Sequence, residues 1–102
     1  MTRTRFAPRA RQDVLEITRW IARENRQAAL GLRYNLAQAA ERLGQYPEYG
    51  AIRPELADAP IRFLVLAGQP YILVYDSGVS PPLILRVLHG ARDLPDVLRD
   101  IG

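Results

Sequence analysis

The chain has no cysteine and no lysine among its 102 residues, and it has a single histidine and a single tryptophan. Without cysteine there is no disulfide, no thiol nucleophile and no cysteine-ligated zinc, and a reducing cytoplasm suits it. Without lysine, all fourteen basic residues are arginine. The planar guanidinium fork suits carboxylate and phosphate and cannot practically be deprotonated. An acidic partner or nucleic acid is compatible with that bias, though GC-rich codon usage would produce it equally well. Long hydrophobic runs are missing too. The longest uncharged stretch, Phe63 to Tyr75, is interrupted by Gly68 and Pro70 and is too short to span a bilayer. The basic N-terminus (Arg3, Arg5, Arg9, Arg11) is followed by no long apolar segment, which argues against a secretory signal. A cytoplasmic domain with no membrane association is expected.

What is present belongs to an ordinary globular protein. Residues 1–102 are enough for one domain with a modest core and too few for two. The net charge of +3 is small.

Residues 3–7 read as a short edge strand ending at Pro8, which is well placed to open a helix. Ala10, Val14, Ile17 and Ile21 then fall on one helical face, with Trp20 at its border. Asp13, Glu16, Glu24 and several arginines fill much of the rest. This first helix is expected over residues 8–24, with Asn25 as the break. A second periodic segment carries Ala29, Leu32, Leu36, Ala39 or Ala40, and Leu43, and Gly44 is placed to cap it ahead of Pro47. Gly31, inside that pattern, suggests close helix contact. Residues 44–60 hold three prolines and two glycines and predict a connection with little regular structure. Strands are predicted at Ile61 to Ala67, Tyr71 to Asp76 and Leu83 to Leu88, with hairpin loops between them. Residues 93–101 predict a terminal helix, with Asp93 as its N-cap and Asp96 in its first turn. The order is β-α-α-β-β-β-α: an α+β domain in which a helical hairpin packs on a twisted antiparallel sheet.

The strands lack clean alternation. Ile61, Phe63 and Val65 oppose Arg62, Leu64 and Leu66. Tyr71, Leu73 and Tyr75 oppose Ile72 and Val74, and Leu83, Leu85 and Val87 oppose Ile84, Arg86 and Leu88. Both faces are apolar, whereas a helical hairpin covers only one. The second face must be covered either by the terminal helix and the N-terminal arm or by an extended segment of a partner.

Several local motifs occur in a specific order. They are the helix from Ala28 to Leu43, Pro47-Glu-Tyr-Gly50, Arg53-Pro-Glu-Leu56, Ile61-Arg62-Phe-Leu-Val65, Tyr71-Ile-Leu-Val-Tyr75, and Arg86-Val-Leu-His-Gly-Ala-Arg-Asp93. Together they resemble the ParE/RelE superfamily of type II toxin–antitoxin toxins over nearly the whole chain, and the last motif is more similar to the ParE branch. The resemblance implies a small bacterial toxin neutralised by a cognate antitoxin whose C-terminal segment wraps it. It also implies that the pair represses its own operon, with DNA contacted through the antitoxin. The ParE branch poisons DNA gyrase. The RelE branch is a ribosome-dependent endoribonuclease that cuts messenger RNA.

Attack by an RNA 2′-hydroxyl needs a base, an acid and stabilisation of the phosphorane charge. RelE-like toxins are implied to use lysines, arginines and a C-terminal tyrosine for this. Here lysine is absent and Leu94–Ile101 contains no tyrosine. The nuclease alternative would have to draw on Arg62, Arg86, His89 and Arg92, of which only His89 suits acid–base work near neutrality. His89 is as well explained as a strand-end packing residue. Arg86 is expected to pair with an acid such as Asp76 or with an antitoxin carboxylate, and Arg92 with Asp93. Tyr46, Tyr49, Tyr71 and Tyr75 are expected to be packing residues. The favoured expectation is a toxin that inhibits gyrase by protein binding, with no catalytic residues, cofactor or metal. A remnant retained for operon regulation is a third reading. Partner-binding candidates are Arg62, Leu64, Tyr71, Tyr75, Arg86, His89, Arg92 and Leu98.

Overall fold

The computed structural model describes residues 4–93. The expected terminal helix, with Asp96 and Leu98, lies outside the described residues, as does Arg3. The elements are β1 (Arg5–Phe6), α1 (Pro8–Ala22), α2 (Arg26–Gln45), β2 (Ala51–Ile52), β3 (Ile61–Val65), β4 (Tyr71–Asp76) and β5 (Leu83–His89).

Helix α1 begins where proline can begin one: Ala7 is extended and Pro8 takes the first turn. Ala10 is fully buried, and Val14, Ile17 and Ile21 pack on the core as their spacing predicts. Asp13 departs from expectation, for it is buried rather than solvent-facing. Asn25 does more than interrupt. Its side-chain oxygen accepts from the Ala28 N–H at 3.0 Å and caps α2. Helix α2 buries Ala29, Leu32, Leu36, Ala40 and Leu43 along one stripe. It runs through Gly44, the expected cap, and stops at Tyr46, because Pro47 cannot continue it. Nor does Gly31 mark a close helix crossing, since a Cβ there would meet no atom within 4 Å.

The sheet order is β1-β5-β4-β3-β2. Strands β3, β4 and β5 pair antiparallel, as short connections require. The sheet is nevertheless mixed. β1 lies parallel to β5, with Arg5 opposite Leu83 and Phe6 opposite Ile84. It leads straight into α1 and joins β5 from the far end of the chain, so no hairpin constrains its direction. β2 pairs with β3 inside the stretch expected to be irregular. Two residues are too few to show a period.

The expected faces of β5 are also revised. Tyr75 pairs with Ile84 but Val74 pairs with Arg86, so Leu85 is an extra residue in a β-bulge. Ile84 and Val87, three positions apart, consequently share the helix-side core with Leu73, Tyr75, Leu32 and Leu36. On the opposite face Phe63, Val74 and Leu88 are buried together with Ala57, and Leu56, Ile61 and Ile72 pack against them. That cover comes from the turn after β2, where the Arg53 carbonyl accepts from the Leu56 and Ala57 N–H groups. The N-terminal arm, one of the expected covers, lies in the plane of the sheet as β1.

Candidate partner-binding site

The candidate residues fall into two groups at opposite ends of the central strands. The first lies where β5 runs past β1. Because β1 is only two residues long, β5 beyond Ile84 loses its strand neighbour on that side. The Val87 N–H would be stranded there. Asp13, from the buried face of α1, supplies the acceptor: its Oδ2 takes the Val87 N–H at 3.0 Å. The same carboxylate is gripped by Arg86, Nε to Oδ2 at 2.7 Å and a terminal nitrogen to Oδ1 at 2.9 Å. This bidentate pair is largely withdrawn from solvent, the side chains being 14% and 8% exposed. The expected partner of Arg86, Asp76, is instead turned to the Gly78 N–H at 2.8 Å.

At the end of β5 the His89 N–H donates to Asp93 Oδ2 at 3.1 Å, and Arg92 Nε donates to Oδ1 at 3.2 Å. Burial pushes the Asp93 carboxyl up, but these hydrogen bonds and the positive charge of Arg92 and His89 outweigh it. The net effect holds the group below the ordinary carboxylate value. The His89 ring accepts the Arg92 N–H on Nδ1 at 3.2 Å. It stands edge-on to Tyr71, with ring centres 5.8 Å apart. A cavity of about 390 Å³ opens between α1 and this corner, lined by Arg9, Trp20, Arg86 and Arg92 together with Asp13, Glu16 and Asp93. Its charges are mixed, so it does not concentrate one sign of potential.

The second group holds the loop after α2. Tyr75 is fully buried; its hydroxyl donates to the Pro47 carbonyl at 2.7 Å and accepts the Gly50 N–H at 2.8 Å. Burial raises its pKa, partly offset by the Gly50 N–H and by Arg62. Arg62 donates to the Gly50 carbonyl at 2.8 Å, the Glu48 carbonyl at 3.2 Å and Ser77 Oγ at 3.2 Å. A Cβ on Gly50 would come within 2.7 Å of the Tyr75 ring, so only glycine fits there without displacement. The loop so fixed carries Tyr46 and Tyr49, which are exposed rather than packed. Arg42 lies over the Tyr49 ring, 5.3 Å from its centre.

Several candidates therefore change role. Tyr75 is a fully buried core residue, and Tyr71 is 5% exposed, showing only an edge to the cavity beside β5. Leu64 packs partly buried against the helix-side core. Arg86 is held by Asp13 and Arg62 by the loop carbonyls, leaving Arg92 as the most exposed of the three arginines. Leu98 lies outside the described residues. Of the four residues that a nuclease would need, Arg86, His89 and Arg92 share one corner and Arg62 lies apart from them. Arg62 pairs with Tyr75, and His89 with Tyr71. Those positions are four residues apart on β4, roughly 13 Å at about 3.3 Å per residue. Among the described residues no three His, Asp or Glu side chains converge as metal ligands. No helix among them is long and apolar enough to cross a membrane.

A helical hairpin laid on a five-stranded mixed sheet is the ParE/RelE-like architecture. Residues 4–94 match the family described as the ParE toxin of the type II toxin–antitoxin system parDE, and the chain belongs to that family. Among solved structures it is similar to a chain of the chromosomal ParDE toxin–antitoxin system from P. aeruginosa. The TM-score is 0.69 at 22% identity, with 87% of this chain and 96% of that one covered. No curated protein sequence matches.

Proposed function

We propose that the chain acts in the cytoplasm by binding DNA gyrase, without bond-breaking chemistry of its own, and that a cognate antitoxin keeps it inactive and links it to DNA. The observation that supports this reading is the state of the arginines a nuclease would use. Arg86 is chelated by a carboxylate, Arg62 is spent on loop carbonyls about 13 Å away along β4, and Arg92 is paired with Asp93. Among the described residues no carboxylate sits on the His89 ring nitrogens to orient it as a base. Membership of the ParE family supports a toxin that works by occupying a protein target.

The test is expression of the chain alone and together with the product of the neighbouring antitoxin gene, followed by assays on purified components. The expected result is growth arrest relieved by the antitoxin, inhibition of gyrase supercoiling, and intact messenger RNA. Rapid messenger RNA cleavage with supercoiling unaffected would overturn the gyrase reading in favour of ribosome-dependent cleavage.

A further inference from the structure

The cavity between α1 and the end of β5 is used by none of the roles assigned above. Its volume, about 390 Å³, is that of a small-molecule site. Three arginines and three carboxylates line it, so the formal charge of the lining is zero. Four of these six groups are committed to one another, Arg86 to Asp13 and Arg92 to Asp93. That leaves Arg9 and Glu16, neither of them ion-paired among the described residues. Glu16 accepts a bond from the Gln12 amide at 3.2 Å and keeps acceptor capacity to spare. Trp20 adds an indole ring left 62% exposed beside the same space. With Asp13, these residues stand at positions 9, 13, 16 and 20, spacings of four, three and four that share one face of α1. Arg9 and Glu16 are about 10 Å apart along the helix at 1.5 Å per residue, and Trp20 is one turn, about 6 Å, beyond Glu16. A fork of donors, a pair of acceptor oxygens and an aromatic face therefore border one space.

We infer that this cavity binds a guanine base stacked on Trp20, its N1–H and 2-amino group donating to Glu16 and its O6 and N7 accepting from Arg9. An ionised carboxylate only accepts and a guanidinium only donates, so the occupant needs donors on one edge and acceptors on another. Guanine carries O6 and N7 side by side for an arginine fork, the commonest specific contact to any base. Its opposite edge holds two adjacent donors. Adenine and cytosine turn a ring-nitrogen lone pair toward the carboxylate there, and uracil offers a single N–H between two carbonyls. The neutral lining decides against recognition through phosphate, which draws on an excess of positive charge. An arginine side chain from a partner protein would suit Glu16 and Trp20, but it would meet the charge of Arg9 and give it nothing to bond. A free nucleotide and an unpaired guanine in a nucleic-acid strand offer the same base. The cavity reads that base and performs no bond-breaking, so the inference stands whichever protein the chain targets.

Trp20 is the only tryptophan, so its fluorescence reports on this cavity alone. The test titrates the purified full chain with guanosine, GMP, AMP, CMP and UMP. Guanosine and GMP should both quench Trp20, with affinities within about threefold of each other because a neutral lining gains little from the phosphate. The other three nucleotides should bind at least about tenfold more weakly. Glu16→Gln should weaken GMP by about tenfold, because its amide brings a donor against the donors of the base. Arg9→Gln should narrow the preference for GMP over AMP. Both residues are exposed, and a parental far-ultraviolet circular dichroism spectrum shows that each variant has folded. The nucleotide series on the parent chain decides the matter if a variant does not fold. A thymidine hexanucleotide with one central guanine separates the sources. Tighter binding than GMP, lost when adenine replaces the guanine, assigns the base to a strand; binding no tighter assigns it to a free nucleotide. No quenching at millimolar GMP, equal affinity for all the nucleotides, or indifference of a folded Glu16→Gln chain would overturn the inference.

Discussion

Replacement of Asp13 by alanine should be the most damaging single truncation of a charged side chain in the described fold. The carboxylate satisfies three donors, two from Arg86 and the Val87 N–H. Its removal takes the bidentate carboxylate from a guanidinium whose side chain is only 14% exposed. It also leaves a buried backbone N–H without an acceptor. Breaking a buried pair by deleting one partner costs about 3–5 kcal/mol, and an unmet buried donor adds about 1–3 kcal/mol. Arg86 retains some access to water, so about 4 kcal/mol in all is the working figure. A domain of this size has only about 5–15 kcal/mol in hand. The melting temperature should therefore fall by about 16–32 °C, at about 4–8 °C per kcal/mol. Urea titration followed by far-ultraviolet circular dichroism gives the check. The midpoint should drop with the slope unchanged, as for a pure stability change. The double variant Asp13→Leu, Arg86→Met should regain much of the loss, since replacing both partners leaves no buried charge unpaired. If Asp13→Ala lies within about 1 kcal/mol of the parent, or the double variant is no better than the single, the pair does not hold α1 to β5 as argued.

Three further substitutions test other parts of the fold. Gly31→Ala should raise stability by about 1 kcal/mol, because the site is helical and a methyl group meets nothing there; a lower urea midpoint would show a contact that the geometry lacks. Tyr75→Phe leaves the ring in the core but strips the hydroxyl from the Pro47 carbonyl and the Gly50 N–H. It should cost about 1–3 kcal/mol, with amide exchange rising at Gly50 ahead of the helices. Asp93 sets part of the acid limb. Its carboxyl titrates below the ordinary value in the folded chain, so the stability it confers is complete above the unfolded-state value of about 4 and is lost as pH falls below it. Asp93→Asn should flatten the stability profile in that window and leave the profile above about pH 5 parallel to the parent's; an unchanged acid limb would contradict the assignment.

The helices and β4 were legible because apolar spacing carries them. Leu32, Leu36, Ala40 and Leu43 declare a helical stripe, and Tyr71–Asp76 is bounded by a Gly-Gln-Pro turn and a Ser-Gly pair. What escaped is either too short to have a period or decided by distant residues. β2 has two residues. The bulge at Leu85 and the parallel pairing of β1 depend on strands remote in the chain. Gly44 looked like a cap, but α2 remains helical through it and yields only at Pro47. The partner of Arg86 is not the nearby Asp76 but Asp13, 73 positions away. A signal for Asp13 was present. It sits three residues after Ala10 and four before Ile17, inside the apolar stripe, and an acid in such a stripe asks for a buried cation. The exposed Tyr46 and Tyr49 carry no comparable mark, because nothing in their spacing distinguishes a tyrosine displayed on a fixed loop from one in the core.

The parallel pairing of β1 with β5 has a consequence for how the protein comes into being. Arg5 meets Leu83 and Asp13 meets Arg86, so the first strand and helix have neither strand partner nor counter-ion until β5 has been made. Contacts of such separation close late, after the cost of ordering the long intervening loop. During synthesis α1 can form and meet α2, but it has no sheet edge to fasten to and carries an unpaired Asp13. A chain broken off before β5 would hold a helical hairpin and two central strands with no latch across them. For a toxin this ties the assembled surface to synthesis of β5: translation products that stop short of it would lack the fold on which any binding face depends.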